Sequence, residues 1–232
     1  MPTDQGRDVQ DIVVINPKGG CGKSTIAMNL AGFFACWGLR VGLVDLDPQE
    51  TCLDWLRVRP QSLPHIAGWR EETLGNELER KVDYRIIDVP SSRFDSRIQD
   101  ILSQAATVII PLLPSINDFR ATEKFLANVA DLQRRLDGQT EFGIIANRVK
   151  NNTKSFNYLK NFIRQTQVAC HAVLRDTQNY IRAAEKGVSI FELPRSMVSR
   201  DIAQWQRLVR WLCIDQSVTV NIPMPVINEI EF

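Results

Sequence analysis

The chain is predicted to be an α/β protein, a doubly wound, mostly parallel sheet flanked by helices on both faces. Three observations carry that reading. Short apolar, β-branched runs alternate with helical segments, the signature of βαβ units whose crossovers join strands running the same way. Several of those runs end in a carboxylate, an asparagine or a proline–serine pair, at the carboxyl ends of strands where open α/β sheets place their ligands. The 232 residues, 44% hydrophobic and 24% charged, are enough for one sizeable domain with a well-buried core.

The first unit is the most informative. Ile12-Val13-Val14-Ile15 reads as a buried strand, Asn16-Pro17-Lys18-Gly19-Gly20-Cys21-Gly22-Lys23-Ser24-Thr25 as a glycine-rich loop, and Ile26 to Ala35 as a helix. Strand, loop and helix in that order are the setting a phosphate-binding loop needs. Its glycines let backbone N–H groups turn inward on a phosphate chain without a Cβ in the way. A helix opening at Gly22–Lys23 aims unpaired amides and the positive end of its dipole at the same anion. Lys23 then supplies a point charge at the β- and γ-phosphates, and the Ser24 hydroxyl is placed to ligate Mg²⁺. The loop departs from the ordinary G-x-x-x-x-G-K-[ST] pattern: Pro17 stands where the first glycine belongs, and a second lysine, Lys18, follows it.

The later elements follow in order. The first helix ends near Trp37-Gly38, with glycine as its cap. Arg40 to Asp45 is a second buried strand running into Leu46-Asp47-Pro48-Gln49, so that Asp45 and Asp47 lie at a strand's carboxyl end; an Asp-x-Asp-Pro string is also a common turn. Thr51–Val58 reads as helix, His65–Trp69 as a short edge strand, and Glu71–Arg80 as a charged helix, with Trp55 and Trp69 as packing. Asp83 to Asp88 is an apolar strand ending in an acid, the arrangement in which a carboxylate holds a metal through a water. Ala106–Pro111 is another buried strand, followed by a long helix whose Phe125, Val129, Leu132 and Leu136 form one apolar stripe. Phe142–Arg148 is a strand ending at Asn147, Thr153–Gln165 a helix, and Val168–Leu174 the last strand, leading to Arg175-Asp176. A helix over Asp176–Lys186 stops at Gly187, and a final helix spans Ser196–Leu212 with Arg200, Arg207 and Arg210 outward. Residues 1–10 read as a disordered lead, 11–212 as the domain, and 213–232 as a tail with no helical period.

The loop form Lys-Gly-Gly-x-Gly-Lys-Ser-Thr resembles the deviant Walker A loop of the ParA/MinD family of P-loop ATPases. The Asp-x-Asp-Pro-Gln string, Asp88 with Val89-Pro90, the Pro114-Ser115…Asp118…Arg120-Ala121-Thr122 stretch and Gly187…Ile190-Phe191-Glu192 follow in the family's order. The resemblance spans about residues 11–212. It implies that residues 18–25 (Lys18, Gly19, Gly20, Cys21, Gly22, Lys23, Ser24, Thr25) cradle ATP and that Ser24, Asp45 and, through a water, Asp88 serve Mg²⁺. Asp47 would position the attacking water, and Lys18 would reach the nucleotide held by a second copy. The family usually has threonine where Val89 stands, a hydroxyl that Ser91 or Ser92 would have to replace. Val89–Arg97 becomes the segment that senses a γ-phosphate, with Arg93 and Arg97 either exposed charges or finger candidates. Asp118 and Arg120 become interface candidates, a solvated helix cap being the alternative. Asn147 matches the adenine-reading position, where an amide meets N6 and N7 together, a turn asparagine being the alternative; Arg175 falls where a loop covers the base.

Net charge is +1, which excludes gross attraction to nucleic acid or membrane, but from Arg148 to Leu212 twelve Lys/Arg face four Asp/Glu. That polarity suggests a basic surface, with Lys150, Lys154, Lys160, Arg195, Arg200, Arg207 and Arg210 as DNA-binding candidates. The resemblance implies an ATP-dependent homodimer, sequence-nonspecific DNA binding, and an activating adaptor, ParB-like or specific to a cargo. The expected setting is cytoplasmic and nucleoid-associated. Five cysteines without metal spacing fit reduced thiols. A MinD-like membrane switch would need a basic amphipathic C-terminal helix, and residues 213–232 are acidic and carry prolines. A reductase of the nitrogenase-iron-protein type would need cysteines between Cys52 and Cys170, where there are none. A metabolic synthase of the same superfamily would need a substrate pocket that no motif marks.

Overall fold

In a computed structural model, residues 9–73, 81–135, 140–166 and 168–213 are described. Seven strands form one sheet in the order β3-β2-β4-β1-β5-β6-β7, and every neighbouring pair is parallel. They are β1 (Gln10–Val14), β2 (Val41–Asp45), β3 (Ile66–Arg70), β4 (Tyr84–Asp88), β5 (Thr107–Leu112), β6 (Glu141–Val149) and β7 (Ala169–Arg175). The helices are α1 (Lys23–Cys36), α2 (Thr51–Arg57), α3 (Ser96–Gln104), α4 (Ile116–Arg135), α5 (Lys154–Gln165), α6 (Asn179–Glu185) and α7 (Arg195–Cys213). This is the doubly wound parallel sheet expected from the sequence.

Alternate residues of the central strands feed two cores, as the two-residue period of a strand requires. Ile12 and Val14, with Tyr84 and Ile86, face a core built with α1, α6 and α7. Val13 and Ile15, with Ile87 and Val108, face a second core built with α3, α4 and α5. Because helices cover both faces, the central strands are buried throughout. Helix α1 is buried nearly all round, from Ile26 to Ala35, which fixes the loop before it. A polar lock holds its outer side. Asn29 accepts from the Ile190 amide at 2.8 Å, and a Cβ on Gly32 would come within 2.4 Å of Ser189. The pair Arg59–Glu192, buried at 2.5 Å, ties α2 to the same 3₁₀ turn, Ile190–Glu192.

Several boundaries differ from the sequence reading. Gln10 already pairs with Tyr84 in the sheet, so the lead is shorter than ten residues. The charged segment after β3 begins as a 3₁₀ turn, Glu71–Thr73; residues 74–80, Leu136, residues 1–8 and the tail from 214 lie outside the described residues. Helix α3 was not anticipated: Asp95 caps it by accepting from the Ile98 amide at 3.0 Å, and Ile98 and Leu102 bury one face. Helix α6 starts at Asn179 rather than Asp176, whose amide donates to the Val149 carbonyl at 3.1 Å. Among the described residues no helix is long and apolar enough to cross a membrane.

Candidate functional site

The switch in strand order, with β1 between β4 and β5, opens a crevice at the strands' carboxyl ends. The loop after β1 lies there. Asn16, buried, shapes its start: its side-chain amide donates to the Pro111 carbonyl at 2.6 Å, and its oxygen accepts from the Lys18 N–H at 2.8 Å. Gly20 and Gly22 have φ of 75° and 92°, values that favour glycine. Residues 18–20 are exposed, whereas Lys23 is buried and places Nζ 3.5 Å from the Lys18 carbonyl, inside the loop. A lysine ammonium kept from water by a ring of backbone is arranged for an anion.

Facing the loop, Asp45 and Asp88 are cross-strand partners on β2 and β4, and both are buried. Asp45 caps α2. One oxygen accepts from the Cys52 amide at 2.8 Å and the Leu53 amide at 3.4 Å; the other accepts from Asp47 N–H at 3.0 Å. Burial raises the Asp45 pKa despite those donors. Burial also pushes Asp88 up to about 7, with the neighbouring Asp45 adding to the shift and the Ser24 hydroxyl opposing it. Asp88 Oδ2 accepts from the Cys52 thiol at 3.4 Å, while its Oδ1 is buried with no hydrogen-bond partner. An orphaned carboxylate oxygen beside a serine hydroxyl fits a hydrated divalent cation, which would pair with the oxygen and favour the charged form. Asp47 is half-buried; one of its oxygens accepts from the Gln49 amide at 3.0 Å, closing a turn. It is both a turn residue and a neighbour of the carboxylate pair. Ser91 lies against the loop, its hydroxyl 3.6 Å from where a Gly19 Cβ would stand.

The segment Val89–Arg97 carries an ion cluster. Arg93 reaches Glu71 at 2.5 Å and Asp95 at 3.0 Å, and Arg97 reaches Glu71 at 2.9 Å. Both arginines hold Glu71, the residue after β3, rather than the loop. The side chains of residues 116–121, Asp118 and Arg120 among them, lie outside the described residues.

Two base-contact candidates have other partners. Asn147, buried, donates from its amide to the Cys21 carbonyl at 2.8 Å and accepts from the Arg148 N–H at 3.0 Å. A Cβ on Gly22 would stand 2.3 Å from the same amide. Asn147 is therefore a brace beneath the phosphate loop, and both ends of its amide are engaged by the chain. Arg175 grips the fully buried Asp201 with Nε and, at 3.1 Å, with a terminal nitrogen. Its guanidinium is turned toward α7 because an unpaired Asp201 would be costly there.

The basic candidates do not share one helix layer. Lys154 and Lys160 belong to α5, which packs on the α3–α4 side; Lys160 lies over the Phe156 ring at 5.0 Å. Arg195, Arg200, Arg207 and Arg210 are exposed on α7, across the sheet. Lys150 is 3.6 Å from Asp176, which offsets its charge. A single patch containing all seven is thus replaced by two basic surfaces either side of the β6–β7 edge.

A family model described as the CobQ/CobB/MinD/ParA nucleotide binding domain matches residues 12–190. The maintenance of carboxysome distribution protein A of Halothiobacillus neapolitanus is 25% identical over 189 residues, 78% of this chain and 87% of that protein. Among solved structures, a putative plasmid partition protein from Borrelia burgdorferi bound to AMPPNP aligns with a TM-score of 0.66 at 16% identity, covering 88% of this chain and 100% of that one. The septum site-determining protein MinD with Mg-ADP from Pyrococcus horikoshii aligns with a TM-score of 0.62 at 15% identity, covering 88% and 96%. The two structural likenesses agree with the fold described above.

Proposed function

Because the chain belongs to the CobQ/CobB/MinD/ParA nucleotide-binding family, we propose that it is a ParA-like ATPase that dimerises on binding ATP and magnesium. In that state it binds DNA without regard to sequence, and it positions or segregates a cargo through hydrolysis stimulated by an adaptor protein. The observation that supports this most is Lys23. It is buried at the N-terminus of α1, its Nζ turned into a loop whose glycines take positive φ. Its charge opposes the upward shift of the buried Asp88, and a triphosphate would give it a direct counter-charge.

The residues divide the work. The loop amides from Gly19 to Thr25 and Lys23 bind the phosphates, and the low dielectric around them strengthens each contact. Ser24, Asp45 and, through a water, Asp88 would hold magnesium, which would supply positive charge against the phosphates. Asp47, at the rim, orients the attacking water. Lys18 is exposed on the outer side of the loop, a position from which it meets the nucleotide of a second copy. The adaptor completes a site that is slow by itself, as activators do for other P-loop enzymes. Dimerisation doubles the α7 arginines offered to DNA, and affinity rises steeply with the number of phosphates neutralised. ATP state and DNA binding are then one linked equilibrium. The carboxysome-distribution protein described above favours a cargo of that general kind; the setting that goes with it is the cytoplasm and the nucleoid.

Fluorescent ATP-analogue binding tests the reading at its base. Lys23→Ala should abolish binding while leaving the thermal midpoint of the free protein within a few degrees of the parent. Tight binding retained in that variant would remove the loop from the function.

A further inference from the structure

Neither the loop nor the carboxylates explain why a thiol lies at the centre of the site. Cys52 is fully buried in the first turn of α2, seven residues after Asp45. It makes two contacts at once. Its backbone N–H donates to Asp45 Oδ2 at 2.8 Å, and its Sγ–H donates to Asp88 Oδ2 at 3.4 Å. The two carboxylates sit side by side on β2 and β4, so one residue holds both. With Oδ2 of Asp88 occupied by the thiol, Oδ1 is left without a protein partner.

On the reading that this is a magnesium–nucleotide site, we propose that Cys52 is a positioning residue, which fixes the rotation of the Asp88 carboxylate so that Oδ1 faces the hydrated magnesium. The physical reason is the freedom of a carboxylate on a short side chain. An aspartate with no second contact rotates about its last torsion with a broad, two-fold preference. A donor on one oxygen removes that freedom before the metal arrives, and partners of this outer kind are typically worth 10–100-fold in metal affinity. A thiol is a weak donor, so the lower end of that range, about tenfold, is expected. An alanine at this place would serve the helix as well; it would leave Asp88 the Ser24 hydroxyl and no donor from α2.

The test is a Mg²⁺ titration of fluorescent ADP binding by the full chain, with a parallel series in EDTA. Cys52→Ala should raise the Mg²⁺ concentration at half-effect about tenfold and leave binding in EDTA unchanged. Cys52→Ser, which restores a donor of similar size, should return close to the parent. An alanine variant with the parent's Mg²⁺ requirement overturns the proposal, and so does a serine variant shifted as far as alanine, since that would make the effect one of packing. The infrared S–H stretch gives a readout that needs no variant beyond serine. The parent-minus-Cys52→Ser difference spectrum should show a band displaced below that of a free thiol, and a band at the free-thiol position contradicts the contact. Should the parent bind no nucleotide at all, the functional reading falls first, an outcome distinct from an intact parent with an indifferent Cys52.

Discussion

Replacing Gly22 by alanine should damage the protein through one identified neighbour. At φ 92° a non-glycine residue costs roughly 1–2 kcal/mol. Its new Cβ would also stand 2.3 Å from Asn147 Nδ2, well inside contact distance, so the amide must leave the Cys21 carbonyl that it holds at 2.8 Å. A buried carbonyl stripped of its donor costs about 1–3 kcal/mol. Together the change should lower stability by roughly 2–5 kcal/mol, a fall in Tm of about 4–20 °C for a domain of this size. Asn147→Ala alone should cost about 1–3 kcal/mol by the same lost bond. The double variant pays for that bond only once, so it should be more stable than the sum of the two singles by about 1–2 kcal/mol. Urea unfolding of the four proteins without nucleotide measures the coupling. Effects that simply add, within about 0.5 kcal/mol, would refute the brace assigned to Asn147. They would reopen the two readings that the sequence allows, base reading or a turn, and selectivity for ATP over GTP would then separate them.

Two further outcomes follow. His171 stacks on Trp211 with ring centroids 3.8 Å apart, and burial, helped by Arg207, lowers its pKa from 6.5 to about 4. Below pH 6.5 the unfolded chain takes up a proton that the folded one refuses. Stability should therefore fall as pH drops from about 6.5 to about 4, by roughly 1–3 kcal/mol after allowance for partial exposure of the ring. His171→Phe should flatten that part of the stability–pH curve, and an unchanged slope would assign it to other groups. Paired charge reversal at Arg200 and Arg207 should weaken ATP-dependent pelleting with DNA and reduce its salt dependence, with ATP affinity intact. Reversal at Lys154 and Lys160, across the sheet, should have the smaller effect; the opposite ranking would move the DNA surface to α5.

Much of this architecture was legible because buried parallel strands are near-continuous apolar runs, which marks the central strands, while β3 reads only as a short edge strand. The phosphate loop was legible for a related reason: its glycines, its lysine and the flanking strand and helix are adjacent in the chain. Helix α3 left a fainter trace, a capping aspartate with Ile98 and Leu102 four residues apart, amid polar residues that dilute the pattern. What the sequence hid was contact between distant segments. Nothing local says that Asn147 lies under Cys21, 126 residues away, or that Arg175 is claimed by Asp201. A side chain's local motif names the groups it is able to meet; which it meets is set by the packing of α7 and β6 against the loop. Cys52 carries no local signal for the same reason, since its partner Asp88 lies 36 residues further along the chain.

Lys18 decides whether this is a switch or only a nucleotide-binding fold. Sedimentation of the parent with a non-hydrolysable ATP analogue and Mg²⁺ should give a dimer, and with ADP a monomer. Lys18→Ala should stay monomeric at every analogue concentration that saturates its site. A parent that remains a single copy when saturated, or an alanine variant that pairs as readily as the parent, would contradict the account.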